Sequence, residues 1–306
     1  MSFFVERKGA SKNIAYIAIL VAIICAFSIV SAFLPLSAIF IIVFIPLIST
    51  LAVEYCEKKY AWLFLISALI ATFVSTIYNY MDTLFYIYPG IISGFFYGYL
   101  RKRNFPITVV VFLSALISLG LNYLSLPLIQ FVYQIDMIAF SLELFALKDV
   151  PNILYIVPAF IFSLSLGEIT ISHLLIEMTN KKFSYGEENE MKLEKYYPFV
   201  SLLFSSLTIA LAFLYPPIGY LFLVMAFFFA ASSDYYLLPK GNKIHYIILV
   251  VLLITMVFLF AFLYKKMPKQ TGILLISLFL FANDFAILPI GLQLVGKEKE
   301  HGQKEK

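Results

Sequence analysis

Histidine occurs three times, cysteine twice and tryptophan once in 306 residues, and charged residues make up only 13% of the chain. Each scarcity removes a class of function. The two cysteines, Cys25 inside an apolar run and Cys56 in a charged loop, make neither a disulfide framework nor a metal motif. Of the histidines, His245 and His301 fall at or beyond the edge of an apolar run, and no His-Glu-x-x-His or cysteine–histidine pair exists. Gly-x4-Gly-Lys-Ser/Thr and Gly-x-Ser-x-Gly are missing too. The usual form of ATP hydrolysis, nucleophilic-serine chemistry, a cofactor and a metal are therefore not expected. The expectation is a protein that is not an enzyme, with lipid processing by carboxylates alone as the one enzymatic alternative.

What the chain has instead is apolar length. It is 62% hydrophobic, with a mean hydropathy of +0.94, and a soluble domain of this size could not hide so much apolar surface. Runs of about 20 apolar residues, enough to cross a bilayer as helix, recur along nearly the whole length. The reading is an all-α polytopic transmembrane bundle of about ten spans, six plus four: 14–33, 36–53, 60–79, 83–100, 106–128, 151–177, 198–214, 217–238, 244–264 and 271–295. The N-terminus has no small-residue cleavage site, so the first run is expected to stay as a span.

Lys and Arg set the orientation. With the N-terminus inside, 18 of the 22 basic residues fall on inner segments, and only Lys148 and the cluster Lys265, Lys266 and Lys269 fall outside. Both termini are thus expected in the cytoplasm and the protein in the cell membrane. The basic residues are spread as topology requires, which gives nucleic-acid binding no support. The polar linker 180–198 separates a six-helix region, 1–179, from a four-helix region, 199–296, and a charged tail, 297–306. The outer connection 130–150 reads as an interfacial helix with Asp136 and Glu143 on one face, or as a partly buried connector.

Lipid tails are as apolar as leucine, so small residues rather than hydrophobicity bring membrane helices together. Two small faces stand out. In "AYIAILVAIICAFS", Ala15, Ala18, Ala22 and Ala26 line one side of a helix. In "YPGIISGFFYGYLRKR", Gly90, Gly94 and Gly98 do the same above a basic loop. Packing inside the bundle is the first reading of the glycines. The alanines suit either internal packing or a partner.

The Ala-x-x-x-Ala first helix, the short "LPLS" connection, the proline-containing second helix and "PGIISGFFYGYLRKR" closing the fourth resemble the six-helix S components of energy-coupling-factor transporters, over about residues 12 to 178. The whole length, with its linker and four more helices, is similar to the YybS-like bacterial membrane proteins. The resemblance to S components implies that Ala18, Ala22 and Ala26, with Ala15, face a partner transmembrane coupling subunit that works with ATPases. It also implies that solute binds between the outer halves of helices four to six. The chain departs from that pattern in adding four helices and in a first outer connection without glycine.

Ionisable groups at membrane depth are costly and become candidates for function. Asp284 lies mid-span beside Asn283, with Pro289 and Gly291 beyond, where the helix is expected to break or kink and expose carbonyls to a cation or proton. A hydrogen-bonded acid that locks helices is the alternative. Glu168 lies deep in the sixth span. His173 and Glu177, four apart near its inner end, suit side chains that snorkel to the interface, or a surface pair. Asp234 reads as structural. Toward the outer side sit Asn79 and Asp82, Asn122 and Tyr123, Gln130 and Gln134, and Asn152 and Tyr155. Amides and tyrosines without Arg or Lys suit a small neutral or cationic solute.

Three functions follow as expectations: a solute-binding or uptake transporter subunit in the bilayer, a self-contained ion- or proton-coupled transporter using Glu168 and Asp284, or a non-transporting scaffold or assembly factor.

Overall fold

The computed structural model describes residues 7–33, 38–76, 81, 83–144, 153–182, 193–237, 239 and 271–304, with isolated helical positions between 247 and 266. All regular structure among them is helical. The α-helices are α1 (Ala10–Phe33), α2 (Ala38–Tyr55), α3 (Lys58–Ser75), α4 (Tyr88–Arg101), α5 (Ile107–Tyr133), α6 (Met137–Leu144), α7 (Val157–Lys182), α8 (Tyr197–Leu214), α9 (Pro216–Leu237) and α10 (Thr271–Lys304). Seven helices among the described residues have the length and hydropathy of a membrane span, and Ile42–Tyr55 within α2 is a shorter apolar helix. α4 has only 14 residues, but the π-helical turn Thr83–Ile87 runs straight into it. The expected span 244–264 lies largely outside the described residues.

Local chemistry explains why these runs stay helical in lipid, where every backbone group must be satisfied within the segment. Pro89 and Pro198 occupy first turns, where the missing N–H costs nothing. Gln134 closes α5 in the left-handed conformation (φ 57°), its N–H returning to the Gln130 carbonyl. Hydroxyls inside spans donate back one turn, as Ser28 does to Ile24, Thr72 to Ala68 and Ser277 to Ile273. Large apolar side chains face outward along the helices: Ile70, Val74, Leu124, Leu203 and Phe227 are all more than half exposed. Water would penalise such a belt, whereas lipid does not. The protein is an integral, multi-pass helical membrane protein.

The described chain forms two compact units, Met1–Asp149 with Ile161–Met191, and Val150–Phe160 with Lys192–Lys306. In the first, the glycine face of α4 lies along α2. A Cβ on Gly94 would overlap the backbone of Pro46, and one on Gly98 would come within 2.9 Å of the Val53 Cβ. The Thr50 hydroxyl sits in this seam, 2.9 Å from the Pro46 carbonyl and 3.0 Å from that of Gly94. One end of the unit gathers the start of α1, the α2–α3 and α4–α5 connections and the end of α7. Asn13 ties it together, donating to the carbonyls of Gly9 and Arg7 and to Glu57, and accepting from the Glu57 N–H. Every Lys and Arg of this unit among the described residues lies at this end: Arg7, Lys8, Lys12, Lys58, Lys59, Arg101, Lys102, Arg103, Lys181 and Lys182. At the opposite end, Asp136 is not on a helix face with Glu143. It caps α6, its carboxylate accepting the N–H groups of Ile138 and Ala139.

In the second unit, α8, α9 and α10 pack through small residues at three- and four-residue steps. These are Ser201, Ser205, Thr208 and Ala212 on α8 and Ala226, Ala230 and Ser233 on α9, facing Ser277 and, two turns on, Asp284 of α10, all buried. The Ser201 hydroxyl crosses to the Ala226 carbonyl at 2.9 Å. Of the break or kink expected near Pro289, no break occurs: α10 stays helical through Pro289 and Gly291 to Lys304. Gly291 serves close packing instead, since a Cβ there would lie 2.7 Å from the Lys195 carbonyl.

Candidate functional site

The first unit carries an unusual line of polar groups at membrane depth. On α5, Ser114, Ser118, Asn122 and Ser125 recur at steps of four, four and three, sharing one helix face, and all are buried. On α7, Ser165, Glu168 and Ser172 recur at steps of three and four and are buried as well. Phe112 and Phe162 meet edge to face at 5.9 Å and hold the two helices together beside this line. The Ser118 hydroxyl is the polar neighbour of the Glu168 carboxyl. Gly90 of α4 closes the third side: a Cβ there would be 3.4 Å from Glu168 Oε1 and 3.2 Å from Ile45. A methyl group there would only touch the carboxyl and press on the Ile45 side chain.

Glu168 is only 8% exposed. The hydroxyls of Ser114 and Ser165 and Asn122 Oδ1 have no hydrogen-bond partner among the described residues, and Glu168 Oε1 has only the Ser118 hydroxyl beside it. Nor does any Lys, Arg or His among them pair with Glu168. Buried polar atoms are nearly always paired, so such a concentration on two facing helix surfaces calls for an account. An ionised carboxylate here would be costly without a compensating positive charge. The site therefore suits a proton, a cation or the cationic group of a solute, with the Ser118 hydroxyl beside the carboxyl.

Below Glu168 the polar line continues along α7 toward the basic end. Ser172 donates to the Val43 carbonyl at 2.9 Å. His173 Nδ1 lies 2.7 Å from the Tyr97 hydroxyl. Arg101, at the C-terminal end of α4, stands between Glu54 (3.3 Å) and Glu177 (3.0 Å). His173 and Glu177, expected at the surface, each bond a side chain of α4. At the same end, burial pushes the Cys56 thiol up to about 11.

The second unit holds a comparable acid. Asp284 is fully buried, and neither carboxyl oxygen has a hydrogen-bond partner among the described residues. Ser201 of α8 and Asp234 of α9 are its polar surroundings, and the Asn283 amide donates to Asp234 at 3.0 Å.

The remaining expected residues are distributed as follows. Ala15, Ala18, Ala22 and Ala26 are all exposed, so no described part of the chain covers that face of α1. Of the outer amides and tyrosines among the described residues, only Asn122 enters the buried line. Tyr123 points away from it and is 37% exposed, Gln130 is exposed, and Tyr155 is exposed on the short turn Ile153–Tyr155 of the second unit. Asn79 and Asn152 lie outside the described residues. Reasoning from sequence missed Ser114, Ser118 and Ser165, whose helical spacing with Asn122 and Glu168 was there to be read. It also missed Glu54, Tyr97 and Arg101, which no local pattern connects to α7.

Fold and site together define a polytopic membrane protein with a buried acid in each of two helical units. No family model, curated protein or solved structure matches the chain.

Proposed function

We propose that the chain is the solute-binding subunit of a membrane transport system, with a cation or small cationic solute held at Glu168 in the first unit. The observation that carries this reading is a carboxyl 8% exposed, without a paired cation among the described residues, in a line of unpaired hydroxyls and an amide oxygen. The alanine face of α1, which no described residue covers, supports the partner that resemblance to S components implies, a transmembrane coupling subunit with its ATPases. The gathering of basic residues at the end where α1 starts and α7 finishes supports a cytoplasmic N-terminus. The test is thermal unfolding of purified protein across a panel of sodium, potassium, guanidinium and tetramethylammonium salts. A bound cation at about 100 times its Kd stabilises the wild type by about 2.7 kcal/mol. Glu168→Gln should erase that gain. Equal responses of the two proteins to every salt would refute the proposal.

A second reading, a self-contained ion- or proton-coupled transporter, is favoured by Asp284, an acid in the other unit with both oxygens unpaired among the described residues. It predicts gradient-driven flux in proteoliposomes containing this chain alone, lost in Asp284→Asn. In the first reading, co-purification of a transmembrane subunit with ATPases disappears in Ala22→Leu.

A further inference from the structure

At the basic end of the first unit, a cleft of about 200 Å³ opens between α2, α3 and the end of α4. Its lining divides by chemistry. Three cations, Lys58, Lys102 and Arg103, stand around it, and no acidic side chain among the described residues lines it. The nearest acid in sequence, Glu57, is engaged elsewhere, accepting from the Gly9 N–H at 2.9 Å and from Asn13. The remaining wall is aromatic: Trp62 lies 4.8 Å from Phe95, ring to ring, with Tyr99 beside them.

Two of the three cations are held in place. Lys102 Nζ donates to the carbonyls of Val53 (3.2 Å) and Cys56 (3.4 Å) at the C-terminal end of α2. Arg103 bonds the Tyr99 hydroxyl and covers that ring, its guanidinium carbon 4.5 Å from the centroid. Lys58 has no ion-pair partner among the described residues. Trp62 is 45% exposed and begins the outward apolar face of α3 that continues through Ile66, Ile70 and Phe73. A group bound here would put negative charge among the cations and an apolar part along Trp62 toward lipid.

The geometry points to a site for the phosphate of an anionic phospholipid, whose first acyl carbons lie on Trp62. Inorganic phosphate shares the charge but has no use for the aromatic wall. Zwitterionic lipid has the apolar part but carries its own cation into the cluster. An aromatic belt residue next to basic side chains at the edge of the apolar span is where such a headgroup would sit.

The experiment uses the chain's single tryptophan. Wild-type protein is reconstituted in phosphatidylcholine vesicles doped with acyl-brominated phosphatidylglycerol or, separately, acyl-brominated phosphatidylcholine, and quenching of Trp62 is compared at equal bromine content. The site predicts stronger quenching by phosphatidylglycerol. Its apparent affinity should fall about 100-fold in the triple variant Lys58→Gln/Lys102→Gln/Arg103→Gln, roughly fivefold for each cation lost. Lys8→Gln/Lys12→Gln/Lys59→Gln removes as much charge from the same end and should change it little. Equal quenching of the wild type by the two brominated lipids overturns the proposal whether or not any variant folds. So does an equal loss in both triple variants, which would mean a diffuse surface field. Displacement of the lipid by millimolar inorganic phosphate would overturn it in favour of a free-phosphate site.

Discussion

Replacing Gly94 with alanine adds one methyl group where, of the described glycines of the first unit, an added Cβ would come closest to a neighbouring backbone. The new Cβ would lie 2.5 Å from the Pro46 Cα and 2.7 Å from its carbonyl carbon. Both are backbone atoms of a helix, so no side chain can rotate away, and α2 and α4 must separate by about 1 Å to reach ordinary contact. Overpacking of this kind costs about 1–3 kcal/mol, and a rigid obstacle puts the cost near the upper end. Alanine's better helix propensity returns about 1 kcal/mol. The net loss is about 2 kcal/mol. Gly120 is the matched control, with nothing within 4 Å of its missing Cβ. Gly120→Ala should be neutral or stabilise by up to about 1 kcal/mol. Gly98→Ala falls between them, because it meets the branched Cβ of Val53 rather than backbone alone. Thermal or denaturant unfolding in mild detergent reads all three. If Gly94→Ala is as stable as Gly120→Ala, the close approach of α2 and α4 is wrong, and so is the wall that Gly90 provides beside Glu168.

Other outcomes follow from the same structure. Asn13→Ala removes the tie between the start of α1 and the α2–α3 connection and should cost about 1–3 kcal/mol by unfolding; no change would mean that Asn13 faces water. Arg101→Met strands Glu54 and Glu177 and should cost roughly 3 kcal/mol. Arg101→Met/Glu54→Gln should recover part of that loss, and a double variant worse than the single would refute the ion cluster. In a Cys25→Ser background, Cys56 should react with maleimide far more slowly than an ordinary thiol at pH 7. Its rate should still be rising as pH approaches about 11, because the thiolate is the reacting form; fast labelling at neutral pH would contradict its burial.

The apolar runs made the helices legible in the sequence, because a membrane demands uninterrupted apolar length and little else. Small-residue spacing showed which face of α4 would allow close approach, but not that Pro46 and Thr50 would meet it. The alanine spacing of α1 was equally clear, yet spacing alone could not tell a covered face from an open one. Glu168 and Asp284 could be picked out as acids in apolar runs. Their surroundings could not, because serines are common in membrane helices and their pairing depends on which helices become neighbours. Hence Asn122, placed with the outer amides from its position in the chain, lies buried on the same α5 face as Ser118, the neighbour of Glu168. The bonds of His173 and Glu177 to Tyr97 and Arg101 span 76 residues, beyond anything helical periodicity can report. Pro289 suggested a break that α10 does not make.

The most direct test of the central claim is chemical labelling of Glu168. Dicyclohexylcarbodiimide partitions into apolar surroundings and couples to carboxyl groups there, and mass spectrometry of the α7 peptide counts the modified fraction. An acid without a paired cation, held as the binding group for positive charge, should be modified in the native protein and protected by any salt of the panel that raises the wild-type unfolding temperature. A Glu168 that stays unmodified, or is modified equally with and without every such salt, would contradict the account.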